Sequence, residues 1–345
     1  MNFQVKLAAV IAALVGVALL FTFEYPPLET SQSGYRGTGM AQVVNVRAAE
    51  KALAAIKTPD VLERSKPSGT KASEVFKNVK VLGDVDQDDF IRLMSAITEW
   101  VSPEAGCTFC HKEGEELSAD TLYPKIVARR MLQMTRHING TWSAHVGETG
   151  VTCYTCHRGN PVPQNIWFTN PGPQTAPGSL GNRAGQNYPS VTAAYSSLPF
   201  DPLTPFLLEN NNIRVEGNTA LPTTNRKSIK QAEWTYSLMN HMSKSLGVNC
   251  TFCHNTQSFQ SWNGPVQRVT AWHGIRMARD LNSSYLTPLT STFPANRRGP
   301  AGDAAKVYCA PCHQGVNKPL GGLQMVKDFP GFSGPPAAAA AAAPP

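Results

Sequence analysis

Apolar residues form one long run near the amino terminus of this chain. Leu7–Phe23 is a stretch of 17 residues without a charge, LAAVIAALVGVALLFTF, which is at the lower limit of length for a membrane-spanning helix. Lys6 precedes the run, Glu24 and Glu29 follow it, and the flank has no A-x-A-like cleavage site and no cysteine for a lipid. We therefore predict an uncleaved anchor over residues 1–23, with the remainder outside the cytoplasmic membrane.

Beyond this run, apolar positions recur with helical spacing in five places. Predicted helices cover Met40–Ile56, Asp86–Trp100, Pro124 to about Asn139, a segment capped by Ser228 and running to about Leu246, and Pro265 to about Asn282. Gly140 and Gly247 are the predicted stops of the third and fourth helices. The fold class is mainly α with extensive irregular loops.

Proline, glycine and asparagine crowd Gly159–Asn225, which indicates an ordered but irregular crossover, while the alanine-proline tail is typical of disorder. The predicted segments are 1–23 (anchor), 24–85 (amino-terminal segment), 86–160 (first unit), 161–227 (crossover), 228–330 (second unit) and 331–345 (disordered tail).

The cysteines point to a cofactor. All eight lie in C-x-x-C-H motifs, so none remains for a disulfide. The motifs are Cys107-Thr-Phe-Cys110-His111, Cys153-Tyr-Thr-Cys156-His157, Cys250-Thr-Phe-Cys253-His254 and Cys309-Ala-Pro-Cys312-His313. A zinc ribbon needs paired C-x-x-C arms at short spacing, and a thioredoxin-like motif has no obligatory histidine after its second cysteine. Four motifs that use every cysteine predict four covalently bound haem c groups, each with its motif histidine on the iron.

The motifs alternate along the chain. The first and third read CTFCH after helices with a Leu-Met pair, whereas the second and fourth follow helices with an Arg-Met pair, Arg130-Met131 and Arg276-Met277. The chain therefore resembles a duplicated two-haem unit, each half built from helix–loop–C-x-x-C-H elements. Since neither half can bury its apolar surface alone, we expect the porphyrins to form much of the core.

Each iron needs a second axial ligand, and methionine gives a higher potential than a second histidine. Candidate methionines precede three of the attachment sites on the predicted helices: Met94, Met131 and Met239. Met134 and Met242 lie one helical turn from two of them and compete with them. The duplication suggests Met277 for the fourth iron, and His145 competes with it. Three further histidines, His137, His241 and His273, are interpreted as surface or propionate-contacting residues.

Longer segments carry a resemblance to a known family. They are SGYRGTGM at 33–40, VARRMLQMTRHIN at 127–139, TWSAHVGETGVTCYTCHRG from 141, LPFDPLTPFL at 198–207 and TAWHGIRMARD at 270–280. These resemble the tetrahaem cytochrome subunit of purple-bacterial photosynthetic reaction centres, over nearly the whole chain after the anchor. Some members of that family carry a lipid on an amino-terminal cysteine, which is absent here.

The resemblance implies three methionine–histidine irons and one bis-histidine iron. The implied axial pairs are Met94 with His111, Met131 with His157, Met239 with His254, and His145 with His313. His145 would then serve the fourth haem instead of the second, which it precedes in the sequence, and Met277 would be a packing residue.

Charge suggests where a partner docks. The polypeptide carries a net charge of +7 with a pI near 9.0, but about eight haem propionates offset it, so nucleic-acid binding is not indicated. Residues 84–120 hold ten acids against two bases. A negative surface around the first haem, with Glu113, Glu115 and Glu116 as candidate docking residues, would attract a basic soluble carrier.

The predicted function is electron relay without bond chemistry, so no catalytic residue is expected. In the family a soluble periplasmic cytochrome c or high-potential iron-sulfur protein reduces the first haem, and the third lies nearest the bacteriochlorophyll pair. Expected neighbours are the L, M and H type subunits and the light-harvesting antenna. The alternative is a membrane-anchored tetrahaem quinol dehydrogenase, a class that is shorter and depends largely on histidine ligands. A multihaem reductase would need an open iron site, which the sequence does not suggest.

Overall fold

A computed structural model of the chain describes residues 2–22, 27–32, 40–64, 66–171, 198–215 and 228–333. Within these ranges the protein is mainly helical. The helices are α1 (Phe3–Thr22), α2 (Val46–Ala54), α3 (Ala72–Val75), α4 (Gln87–Val101), α5 (Tyr123–Thr141), α6 (Ser143–Val146), α7 (Cys153–His157), α8 (Ile229–Leu246), α9 (Gln267–Asp280) and α10 (Ala310–His313). Strands β1 (Leu28–Gln32) and β2 (Ala41–Asn45) form one antiparallel pair, with Leu28 opposite Asn45.

Local capping explains why the predicted helices α4 and α8 form. The Asp86 carboxylate accepts a hydrogen bond from the Asp88 amide at the start of α4. Ser228 and Gln231 make a reciprocal capping box at the start of α8, and Gly247 ends that helix with φ +66°. Both helices are confirmed within one residue of their predicted bounds.

Other helix boundaries were wrong. The pattern at Met40–Ile56 divides, because Ala41–Asn45 pairs with Leu28–Gln32 as a strand and only Val46–Ala54 is helical. The strand gives way to the helix at Asn45, because its side-chain oxygen accepts a hydrogen bond from the Ala48 amide and caps the start of α2. Helix α5 continues through Gly140 and ends at Thr141, so this glycine does not stop it.

Three apolar clusters position the helices. The first gathers side chains of α4, α5 and α7 with the carboxyl-terminal residues Leu320, Met325, Phe329 and Phe332. The second joins α8 and α9 to the crossover residues Trp167, Leu203, Phe206 and Leu207. The third, Ile138, Val151 and Leu281, lies between α5 and the end of α9. Each half of the chain is thus completed by a segment from outside it.

Two predictions about irregular segments are affected. The disordered tail was predicted to begin at residue 331. However, the Phe332 side chain is fully buried, and its ring centroid lies 6.0 Å from that of Trp100. Residues 172–197 and 216–227 of the crossover, and 334–345 of the tail, lie outside the described residues.

Helix α1 is the one described helix that is long and apolar enough to cross a membrane. None of its residues is buried against the rest of the described chain.

Candidate haem-binding sites

The four C-x-x-C-H motifs adopt two backbone forms. The first and third contain short 3-10 turns, Gly106–Phe109 and Cys250–Phe252. The second and fourth are single helical turns, α7 and α10, each followed by a left-handed residue (Arg158, φ 46°; Gln314, φ 48°) and a glycine with φ above 80°. Motif geometry therefore alternates along the chain as the motif sequences do.

One hydrogen-bond pattern orients five of the eight histidines. In each, Nδ1 lies 2.8–3.0 Å from a backbone carbonyl oxygen. The pairs are His111 with Leu117, His157 with Asn160, His254 with Phe259, His313 with Val316, and His145 with Thr270. A carbonyl can only accept, so Nδ1 carries the proton and Nε2 presents its lone pair. This is the arrangement that metal-ligating histidines use to set ring orientation.

Burial keeps these imidazoles neutral. It lowers the pKa of His111, His157, His254 and His145, and with His145 nearby it lowers the pKa of His313 to about 4. Neutral imidazole is the form that binds a metal.

No group of three or more histidine, cysteine, aspartate or glutamate side chains in the described part of the chain is placed to hold a metal ion, so the thiols do not form a zinc site. Burial raises the pKa of Cys110 and Cys253 to about 11, and that of Cys153 and Cys309 to about 12. Reactive redox cysteines have lowered thiol pKa values, unlike these four. All eight cysteines are free of disulfides, and each pair precedes an oriented histidine, so the residues fit covalent haem c.

His145 faces the fourth motif. Its ring centroid lies 6.1 Å from that of His313, with the ring planes inclined by 66°. Two imidazoles that share one metal, with bonds of about 2 Å on each side, have their centroids roughly 6 Å apart. The structure therefore brings together the pair His145 and His313, which lie in different halves of the sequence.

The remaining histidines are engaged differently. His137 Nε2 lies 2.6 Å from an Asp280 carboxylate oxygen, and its Nδ1 lies 3.1 Å from the Thr141 hydroxyl. His241 is buried, with its ring centroid 4.5 Å from that of Tyr308. The surface interpretation was wrong for His241, because α8 turns this side chain towards the segment that precedes the fourth motif.

The candidate methionines differ in their packing. Met134 and Met277 contact the third apolar cluster, as structural methionines do, whereas Met131 is half-buried and contacts none of the three clusters. Met94 contacts the first cluster, and both Met239 and Met242 contact the second. Packing therefore favours Met131 over Met134 as the candidate ligand, but it does not distinguish Met239 from Met242.

The second and fourth motifs lie in direct contact. The sulfurs of Cys156 and Cys312 are 2.8 Å apart, and the Arg158 guanidinium lies 3.4 Å from the Cys312 carbonyl oxygen. Equivalent hydrogen bonds attach each of these motifs to a long helix, from the Gly159 amide to Trp100 and from the Gly315 amide to Ser245, both 2.8 Å. Helix α4 thus packs on the second motif, and α8 packs on the fourth motif.

The acidic surface is largely neutralised in the fold. Six bases from outside residues 84–120 lie within 4.0 Å of acids inside that window: Arg64, Lys77, Lys80, Lys125, Arg129 and Arg136. The excess of eight negative charges counted in the sequence falls to two when these are included. Glu115 pairs with Lys112, and Glu116 lies 4.0 Å from Lys77, while Glu113 has no ion-pair partner among the described residues.

Comparison with known proteins places the chain in a family. Residues 24–333 match the family described as photosynthetic reaction centre cytochrome C subunit. The chain belongs to that family. It is 52% identical to the photosynthetic reaction center cytochrome c subunit of Rubrivivax gelatinosus, over 99% of this chain and 94% of that protein. The subunits of Thermochromatium tepidum and Roseobacter denitrificans are 51% and 40% identical, over 95% and 92% of this chain and 80% and 89% of those proteins.

Family membership establishes covalently bound haem c and a membrane-associated electron carrier. Sequence reasoning identified the motif residues but missed the carbonyl acceptors that orient the histidines. For the second and fourth sites a signal was present, because the glycines after CHR and CHQ allow the left-handed turn that brings the carbonyl back. For Thr270 no local signal exists, since it lies 125 residues from His145.

Proposed function

We propose that this protein carries four haem c groups and passes electrons from a soluble periplasmic carrier to the photo-oxidised bacteriochlorophyll pair of a reaction centre. The observation that carries the proposal is the set of five histidines that share one orientation, four in attachment motifs and one, His145, facing the fourth motif. When bound, each haem c supplies an iron that takes up and releases one electron.

The residues have distinct roles towards this group. The four cysteine pairs would hold it by thioether bonds, and the motif histidines His111, His157, His254 and His313 would each supply one ligand to an iron. Met94, Met131 and Met239 would supply the second ligand to the first three irons, and His145 would supply it to the fourth. The separation of Met131 from the three apolar clusters supports its assignment, and the 6.1 Å spacing of the two imidazoles supports that of His145.

A duplicated two-haem unit accounts for the alternation of the motifs. The paired 3-10 turns, the paired helical turns and the matching bonds from Gly159 and Gly315 support it. The contact between Cys156 and Cys312 supports a continuous path through the middle of the protein, in the order first, second, fourth and third.

Potential differences follow from the ligand types. A bis-histidine iron has a lower potential than a methionine–histidine iron, so the fourth centre is expected to be the lowest of the four. Nε2 of His145 has its lone pair available because the Thr270 carbonyl fixes the proton on Nδ1.

The membrane helix and the neighbours complete the proposal. Helix α1 anchors the chain by a single pass, the haem-bearing part lies in the periplasm, and the contacts are with L, M and H type subunits and the antenna. A soluble cytochrome c or high-potential iron-sulfur protein is the donor, and it docks near Glu113, Glu115 and Glu116.

Flash spectroscopy of native membranes tests the function. Illumination should oxidise these haems within microseconds and a soluble donor should rereduce them, whereas a quinol dehydrogenase would show no light-dependent oxidation. Intact mass of the purified subunit gives the haem count independently. Absence of a flash-induced haem signal in membranes with an active reaction centre would contradict the proposal.

A further inference from the structure

We propose that Gly274 is a positioning residue that lets His145 reach the fourth iron. The inference rests on the proposed ligand pair His145 and His313. It concerns the place where α6 lies against α9, because the imidazole must pass along the backbone of α9 to face the fourth motif.

The side chain of His145 lies directly against the backbone at Gly274. A β-carbon at residue 274 would lie 2.5 Å from Cε1 of His145, 2.8 Å from Nδ1 and 3.1 Å from Nε2. The two shorter distances are below any that unbonded heavy atoms adopt with a β-carbon, since the favourable separation is about 3.5–4.0 Å, and the third is tight. Any residue other than glycine would therefore occupy the space of the imidazole.

The imidazole cannot move aside without losing its role. Its Nδ1 is bonded at 2.9 Å to the Thr270 carbonyl, which belongs to the preceding turn of the same helix. Its other side faces His313 across 6.1 Å. A movement away from a β-carbon would break the bond to Thr270 or carry Nε2 away from the fourth motif.

The repeat supplies an internal comparison. When Arg130-Met131 is aligned with Arg276-Met277, the residue that corresponds to Gly274 is Ala128. No histidine needs to pass α5 in the first half, where Met131 is the proposed ligand. In the second half the glycine is present, and Met277 contacts the third apolar cluster instead. The difference between Ala128 and Gly274 thus coincides with the difference in ligand type.

Helix propensity does not explain the glycine. Gly274 lies in the interior of α9, which covers Gln267–Asp280, and glycine is less favourable than alanine at such positions. An alanine would stabilise α9 if the imidazole were not there, so the requirement for space opposes the preference of the helix.

The test is Gly274→Ala in the full-length protein with its haems. Low-temperature EPR of the oxidised protein should lose the bis-histidine signal, and a redox titration should show one changed potential and three unchanged ones. Intact mass should still give the full haem content. Gly16→Ala is the matched control, because this helical glycine has no atom within 4 Å of the added β-carbon, and its spectrum should remain that of the wild type.

His145→Ala separates the two proposals. If that variant keeps the bis-histidine signal, the ligand pair itself is wrong. If His145→Ala loses the signal but Gly274→Ala keeps it with unchanged potentials, only the role of Gly274 is wrong.

A variant that fails to accumulate is also informative. When Gly274→Ala is combined with His145→Ala, the clash is removed, so accumulation should recover. Failure of Gly274→Ala in both backgrounds would overturn the inference.

Discussion

Two arginines share the carboxylate of Asp89 and differ in burial, which makes them a direct test of how the first half is held together. Arg92 is 8% exposed and donates to Asp89 at 3.2 Å, to the Leu62 carbonyl at 3.1 Å and to the Asp328 carbonyl. Its guanidinium also lies 4.3 Å from the centre of the Phe329 ring. Arg64 donates to the same carboxylate at 3.0 and 3.2 Å, but half of its side chain is exposed.

Arg92→Met should lower the free energy of unfolding by about 3 kcal/mol, the lower end of the range for removing one partner of a buried ion pair. The lower end applies because Arg64 keeps Asp89 paired and the two carbonyls can gain water. The loss is nevertheless large, since this one side chain connects α4 to the segment around Leu62, which precedes α3, and to the carboxyl-terminal segment. Arg64→Met should cost less than about 1 kcal/mol, as exposed pairs do.

Guanidinium unfolding of the haem-loaded protein in detergent, followed by far-ultraviolet circular dichroism, measures both values. The dependence of stability on denaturant should be the same for the two variants, so that midpoints can be compared. Equal losses in the two variants, or a loss below 1 kcal/mol for Arg92→Met, would refute the claim that burial decides the strength of this network.

Three further predictions concern docking, pH and the membrane. Glu113→Gln should slow bimolecular reduction by a basic donor at low ionic strength and have little effect at 0.15 M salt, where the screening length is about 8 Å; equal rates at low salt would favour apolar docking. Burial alone would raise the pKa of Asp280, but hydrogen bonds from His137, Ser284 and Trp142 hold it below its ordinary value. Asp280→Asn should therefore lower stability by roughly 1–2 kcal/mol near neutral pH, and the difference from wild type should shrink as pH falls below about 4; a thermal melt series that shows a constant difference would contradict this. A variant lacking residues 3–22 should leave the membrane in a carbonate wash that retains the full chain, and retention of both would show that α1 is not the anchor.

The sequence alone determined the chemistry of the sites and the local stops of several helices. All eight cysteines and four histidines are defined by contiguous motifs, so haem c could be predicted without a fold. The cap at Ser228 and the helix stop at Gly247 depend on neighbours a few residues away, and both were predicted correctly. Local hydrogen bonds and steric limits act over short spans, which is why such features can be read directly.

Tertiary structure decided what depends on segments far apart in the chain. Three such features join residues that no local sequence pattern relates. They are the opposed rings of His145 and His313, the hydrogen bond between His145 and Thr270, and the ion pairs that neutralise the acids of residues 84–120. The strand at Ala41–Asn45 depends on pairing with Leu28–Gln32, and Phe332 is buried in the cluster that contains Trp100 of α4. These arrangements depend on how two halves with similar local sequences pack against each other, and a difference as small as Ala128 against Gly274 becomes meaningful only when the opposing side chain is in place.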